Sequence, residues 1–333
     1  MKHLFSLFAI LVFISCQETE QSGTYLNGNA FGTEYHIKYY EQEDYGMQID
    51  SIVEKVNQSV STYLPTSDIS KVNEGDSTIV VDAIFVRVLK LSQRIHEESE
   101  GYFDPTVGVL RNAYGFGDDE PVKKIDGKVL DSLRLLVGFS NIRLTEENQI
   151  RKDNRNIYLD FNAIAKGYGI DLIGEFLEQK GIENYLIELG GEIRTKGKNT
   201  EKNKSWMVGV EGIDSELEDR SYTHALKLKN QSLASSGNYR KFRIDSLNGN
   251  KYVHTINPLN GKAEQTNITS TSVIAKTCAE ADAYATTIMA MGHEKTIAFL
   301  KRVKDIEVYY TYLDEQNKAK EFMTEGFKEQ LTD

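Results

Sequence analysis

Cysteine and proline are scarce in this 333-residue chain, which has two of the first and four of the second. With only Cys16 and Cys278 available, neither a disulfide framework nor a thiolate-based metal site can be built. The few prolines and the interspersed charges argue against long disorder. No block of Lys and Arg offsets the formal charge of −11. Nucleic acid is therefore not an expected partner, because neutralising phosphates takes clustered cations. Beyond the N-terminus no apolar run approaches the roughly 20 residues of a membrane-spanning helix. Internal repeats and low-complexity stretches are missing as well.

The first residues differ from the rest. Lys2 and His3 precede an apolar run over 4–14 that ends at Ser15 and Cys16. The run is too short to span a bilayer and fits the apolar region of a signal peptide. Residues 13–16 (FISC) resemble a lipobox, in which the cysteine is lipidated and becomes the mature N-terminus, although Phe13 stands where Leu is usual. An ordinary signal peptide with a chance cysteine is the alternative. The expectation is a lipoprotein signal at 1–15, a lipidated Cys16 with a short tether to 24, and one folded domain over 25–330. Such a protein would be exported and membrane-anchored, facing the periplasm. Cys278 would then have no partner and be a small buried residue.

The body mixes helix and strand signals. The β-branched and aromatic stretch 33–40 predicts a strand. Ile49, Ile52, Val53 and Val56 have helical spacing, and further helices are expected over 82–98 and from about 163 to 179, with Gly181 as a stop. Strands are expected at 185–189, 205–211, 224–229, 241–244, 252–256, 271–274 and 306–313, with a helix after Thr277 and a short last strand after the turn at 314–317. Strands and helices do not alternate strictly, so the predicted class is α+β with mixed, largely antiparallel sheets and packed helices.

Five segments could carry chemistry, and each also has a plain structural reading. In TCAEADAYATT (277–287), Thr277 and Glu280 have capping-box spacing. Asp282 and Thr286 then share a helix face and offer hard oxygen donors suited to Mg²⁺. The plain reading is a capped helix with a solvated Asp. In DFNAIAKGYGID (160–171) a strand runs into a helix start whose amides, with Lys166, could seat a phosphate. The glycine spacing fits neither a Walker loop nor a dinucleotide fingerprint. In GYFDPTVG (101–108), Tyr102, Phe103 and Asp104 suit a loop that grips a flat ring, or else a turn with core aromatics. In STYLPTSDIS (61–70), Tyr63 could stack on an aromatic ligand. Finally, SSGNYRKF (235–242) precedes HTINPLNG (254–261), where His254 could accept a proton or serve only structure.

These segments together resemble the ApbE-type FAD:protein FMN transferases. FGT (31–33) and IELGGEI (187–193) complete eight motifs in the family's order, spanning roughly 25–292. The resemblance implies an ApbE-like, T-fold-type architecture over 25–330 and transfer of FMN from FAD to a Thr or Ser of an acceptor protein, with AMP released. It implies Mg²⁺ held by Asp282 and Thr286 with the backbone carbonyls of Ala163 and Ala285, the latter standing where some members carry Asp. It implies FAD contacts at Phe31, Tyr63, Asp104, Asp160, Lys166 and Ile256, Phe31 standing where many members have Met. His254 is the candidate general base. An FAD pyrophosphatase giving FMN and AMP, or a non-enzymatic FAD-binding lipoprotein, would use the same residues.

Overall fold

The computed structural model describes residues 23–117, 120–211, 222–238, 242–244 and 249–332. Cys16, the signal segment and the tether up to residue 22 lie outside the described residues, as do Tyr239, Arg240 and Lys241.

Strands β1 (Thr24–Ala30) and β2 (Thr33–Tyr39) are followed by helices α1 (Gly46–Val60), α2 (Asp68–Glu74), α3 (Ala83–Glu98), α4 (Gly108–Ala113) and α5 (Gly127–Arg134). A ribbon of β3 (Ile142–Leu144) and β4 (Ile150–Lys152) leads to α6 (Ala165–Gln179) and the hairpin β5 (Tyr185–Leu189) and β6 (Glu192–Lys196). Next come β7 (Trp206–Glu211), β8 (Tyr222–Leu228), β9 (Ser232–Gly237), β10 (Phe242–Ile244), β11 (Lys251–Val253) and β12 (Ile268–Ala275). Helices α7 (Cys278–Met291) and α8 (His293–Leu300), strands β13 (Glu307–Leu313) and β14 (Ala319–Met323), and α9 (Glu325–Glu329) close the described chain.

Eight strands form one sheet in the order β1-β2-β5-β6-β9-β12-β13-β14, every neighbouring pair antiparallel. Successive strand residues face opposite sides, and β9 displays this directly. Leu233 joins a core with Val208, Leu226 and Phe327, from the β7–β8 ribbon and α9. Ala234 joins the core built around α7, α3 and the segment before α6. The class is therefore the α+β arrangement expected, with the helices around α7 on one face and the β7–β8 ribbon and α9 on the other.

Boundaries shifted for local reasons. Helix α6 starts at Ala165 because Ile164 and Ala165 both donate to Phe161 O, at 3.0 and 2.8 Å, closing a turn first. The strand expected over 252–256 ends at Val253, which leaves His254, Thr255 and Ile256 on a cavity wall. Strand β12 is longer than expected, running the full Ile268–Ala275.

A partly buried ionic network ties α6 to the β5–β6 hairpin. The Arg194 guanidinium donates to Asp171 Oδ1 at 2.5 Å, Glu178 Oε1 at 3.0 Å and Tyr185 Oη at 3.0 Å. Burial would raise the Glu178 carboxyl, but hydrogen bonds from Lys196, Tyr185 and Arg194 hold it down to about 2. Its folded value lies below its unfolded one. It therefore contributes stability above the ordinary glutamate range, and that contribution is lost as pH falls toward 2. Glu178→Gln should accordingly lose less thermal stability between pH 5 and pH 3 than the unaltered protein. Parallel pH profiles of the unfolding midpoint would contradict this.

Candidate active site

A cavity of about 1200 Å³ lies between the helical layer and the sheet. Its walls gather twelve of the residues singled out from sequence: Phe31, Tyr63, Tyr102, Phe103, Asp104, Asp160, Ala163, Lys166, His254, Ile256, Asp282 and Thr286. Ala285 is different. It is fully buried in the core packed around α7 and is not among the residues lining the cavity. Successive helix residues are about 100° apart, so the face that turns Asp282 and Thr286 to the cavity turns the Ala285 methyl into the core, and its backbone carbonyl is the group the expectation concerns.

Helix α7 begins with all its first amides satisfied. Asp171 accepts from Cys278 N and Ala279 N, each at 2.9 Å. Thr277 Oγ1 accepts from Glu280 N at 3.3 Å, and Glu280 answers by accepting from Thr277 N at 3.3 Å. This is the capping box read from sequence, completed by a carboxylate from another helix. The start of α7 is thus pinned to α6, and Asp282 sits one turn further along. Its Oδ2 accepts from Gly167 N at 3.2 Å. The two helices touch backbone to backbone here, since a Cβ on Gly167 would lie 2.4 Å from Cys278 O. Only glycine allows that approach.

Three carboxyl and ammonium groups then crowd together. Lys166 Nζ lies 2.5 Å from Glu192 Oε2. Burial pushes the Lys166 ammonium down, but Glu192 and Asp282 more than offset it, and the side chain stays protonated. Burial pushes the Glu192 carboxyl up to about 7, opposed by Lys166 and reinforced by Asp282. Burial also raises Asp282, against Lys166 and the Gly167 amide. Glu192 has no role in the sequence reading beyond its place in a motif. Its meaning depends on what faces it, which spacing does not reveal.

Of the anion seat expected at the α6 start, Lys166 faces the cavity, while three of the nearby amides are engaged within the protein. The Ile164 and Ala165 amides are spent on Phe161 O, and Gly167 N on Asp282. Cationic side chains face the cavity in their place: Lys166, and Arg111 from α4. Arg111, which sequence reasoning missed, donates to Asp160 Oδ2 at 2.8 Å and to Tyr63 Oη at 2.6 Å. Its guanidinium also lies over the Tyr63 ring, 5.6 Å from the centroid, so it holds an otherwise exposed aromatic ring at the rim. Asp160 accepts from Asn162 N at 2.7 Å through its other oxygen.

Asp104 is buried, and both its oxygens are engaged. Thr106 donates to Oδ1 through its amide and hydroxyl, at 2.8 and 2.6 Å, and Phe139 N donates to Oδ2 at 3.0 Å. His96 Nδ1 is 3.5 Å from the same oxygen. Burial nevertheless leaves the carboxyl above the ordinary aspartate value. Phe31 occupies the turn between β1 and β2 at φ 50°, a left-handed conformation unusual for an aromatic residue. Gly32 follows at φ 78°, so the pair has the positive angles of a tight hairpin turn. The turn lays the Phe31 ring against α6, where a Cβ on Gly169 would come within 2.5 Å of it. Backbone strain of this kind is characteristic of ligand-contacting positions.

Among the described residues no cluster of three His, Cys, Asp or Glu side chains could cage a metal by itself. The donors present, one buried carboxylate and one hydroxyl on a shared cavity wall, suit a hard cation that takes few protein ligands and completes its shell with water and phosphate.

A profile described as the ApbE family matches residues 31–310. The FAD:protein FMN transferase of Vibrio cholerae is 33% identical over 304 residues, covering 89% of each chain. That of Haemophilus influenzae is 33% identical over 327 residues, covering 93% of each. Among solved structures, flavin transferase ApbE from Vibrio cholerae superposes with a TM-score of 0.82 at 32% identity, over 93% of this chain and 99% of that one. The ApbE protein of Thermotoga maritima, at 22% identity and a TM-score of 0.79 over 94% of this chain and 100% of that one, shares the fold.

Proposed function

This chain belongs to the ApbE family, and we propose that it transfers the FMN half of FAD to a threonine or serine hydroxyl of another protein, with Mg²⁺ as the working cation. The observation that carries the reading is the convergence of Asp282, Thr286, Lys166 and Arg111 on one cavity that also presents Phe31, Tyr63, Tyr102 and Phe103. The anionic diphosphate and the flat rings of FAD need those two kinds of wall. The cavity volume, about 1200 Å³, exceeds that of ordinary small-molecule sites.

In the reaction the acceptor oxygen attacks the FMN-side phosphorus, a new P–O bond forms, and the bond to the AMP phosphate breaks. Asp282 and Thr286, with the Ala163 carbonyl, would hold the cation, whose role when bound is to neutralise charge on the diphosphate. Lys166 contributes a fixed positive charge, kept in place by Glu192. Arg111 orders Asp160 and Tyr63 at the rim. His254 lines the cavity and is the candidate to take the hydroxyl proton.

The deciding experiment incubates the protein with FAD, Mg²⁺ and a candidate acceptor and reads intact mass. A gain of one FMN phosphoester, less water, is expected on the acceptor. Free FMN with an unmodified acceptor would favour the pyrophosphatase reading. His254→Ala should lower transfer by about 10²–10⁴-fold, the usual worth of a general base, with FAD affinity retained. Turnover equal to that of the unaltered protein would remove His254 from the proton path.

The lipobox-like FISC and the apolar run before it support an exported lipoprotein anchored through Cys16 and facing the periplasm. Cys16→Ser should move the protein from the membrane fraction to the soluble one. Retention in the membrane would count against the anchor.

A further inference from the structure

Strand β9 lies inside the eight-stranded sheet, yet only its first part is paired on both sides. Toward β12 its register runs without a break from Ser232↔Ala275 to Gly237↔Ser270. Toward β6 it makes only two pairings, Ser232↔Arg194 and Leu233↔Ile193. Continuing that register would set Glu192 opposite Ala234 and Gly191 opposite Ser235. The hairpin instead turns away at Gly190 and Gly191, at φ 59° and 104°. A wedge opens between the strands, and among the described residues nothing pairs with that edge of β9 from Ala234 to Gly237. Both sides of the wedge face the cavity: Gly190, Gly191 and Glu192 on one, Ser235, Ser236 and Gly237 on the other.

We propose that this wedge receives the acceptor protein, as an extended segment that adds to the β6-side edge of β9 and carries the hydroxyl to be modified. The inference rests on the transfer reading above. Backbone groups on an open strand edge seek partners, and strand addition is the usual way a sheet captures an extended chain. The small residues on both sides leave room for a backbone to approach.

Two observations favour a peptide over the dinucleotide in this sector. Tyr63, Tyr102, Phe103 and Arg111 come from the helical wall, α1 to α4 and their connections, and Lys166 meets the wedge only at its narrow end, through Glu192. Glu34 and Glu188 also line the cavity, and Glu188 accepts from Gly191 N at 2.8 Å, beside the wedge. Carboxylate oxygens there suit the amide donors of an extended chain better than the oxygens of a diphosphate. The narrow end of the wedge reaches Glu192, the ion-pair partner of Lys166. A chain paired there would bring a side chain next to the phosphate seat.

The test uses synthetic peptides of about ten residues, long enough for a strand of about six, each with one threonine and no other hydroxyl. Peptides that gain FMN with the unaltered protein, FAD and Mg²⁺ are carried forward. Ser235→Tyr, on the ribbon-side face that Leu233 shares, should raise the KM for such a peptide at least about tenfold, while the Kd for FAD stays within about twofold. In the unaltered protein, with FAD present and Mg²⁺ chelated, the peptide should slow amide exchange over 234–237, and FAD alone should not. The exchange result decides the matter even if Ser235→Tyr does not fold. An unchanged peptide KM in the tyrosine variant, weakened FAD binding, or protection of those amides by FAD alone would overturn the assignment. If no peptide gains FMN with the unaltered protein, the transfer reading itself fails and the wedge assignment falls with it.

Discussion

Asp282→Asn is expected to lower FMN transfer about a thousandfold or more while leaving the fold intact. In the proposed reading Asp282 is the one acidic donor to the cation on its helix face, and charge stabilisation by a bound metal is worth several kcal/mol of barrier, each 1.4 kcal/mol being about tenfold in rate. The fold should tolerate the change for a separate reason. Burial raises the Asp282 carboxyl, so its charge is no asset to the empty protein. Asparagine still offers an oxygen to the Gly167 amide, and Lys166 keeps Glu192. The measurement is paired: turnover at saturating FAD, and the rise in unfolding midpoint when FAD and Mg²⁺ are added together. Ligands that bind only the folded state raise that midpoint by mass action, and the variant should lose most of the rise. Transfer within about threefold of the unaltered protein would remove Asp282 from the site.

Asp171→Ala should have the largest effect on stability, about 3–5 kcal/mol. The substitution strips the two leading amides of α7 of their acceptor and leaves the Arg194 guanidinium, itself mostly buried, without one of its carboxylates. Loss of a cap alone costs about 0.5–2 kcal/mol. Breaking a buried ion pair from one side accounts for the rest. At about 2–4 °C per kcal/mol for a domain approaching this size, the midpoint should fall by roughly 10 °C. Asp171→Asn, which keeps an acceptor, should fall in between. A midpoint within about 2 °C of the unaltered protein would show that the α7 start is held by other groups.

What the sequence reveals here follows from how local each cause is. The start of α7 is legible because Thr277 and Glu280 satisfy each other within one turn. The Asp82 cap of α3 and the apolar stripe behind it are local too, and that helix falls where expected. Strand β9 is not legible. Ser232–Gly237 is built of Ser, Ala, Leu and Gly, poor strand formers apart from the leucine, and it becomes a strand because β12 lies beside it. Strand β1, with Gly and two Asn in seven residues, is hidden for the same reason. Arg111 and Glu192 escape because a charged residue has no periodicity to betray it, and each acquires its role from a partner far away in sequence, at Asp160 and Lys166. The motif order identifies which segments meet at the cavity. It does not say which amides the α6 turn consumes, or that Ala285 faces the core.

Helix α6 carries Lys166 at its start and, little more than a turn later, the Asp171 carboxylate that grips α7. In the proposed reading a dinucleotide at Lys166 and a cation at Asp282 sit on helices joined through one rod, so any effect of one on the affinity of the other holds by the same factor in both directions. Substitutions along that rod should strike cation and nucleotide affinities together, with double variants losing less than the sum of their parts.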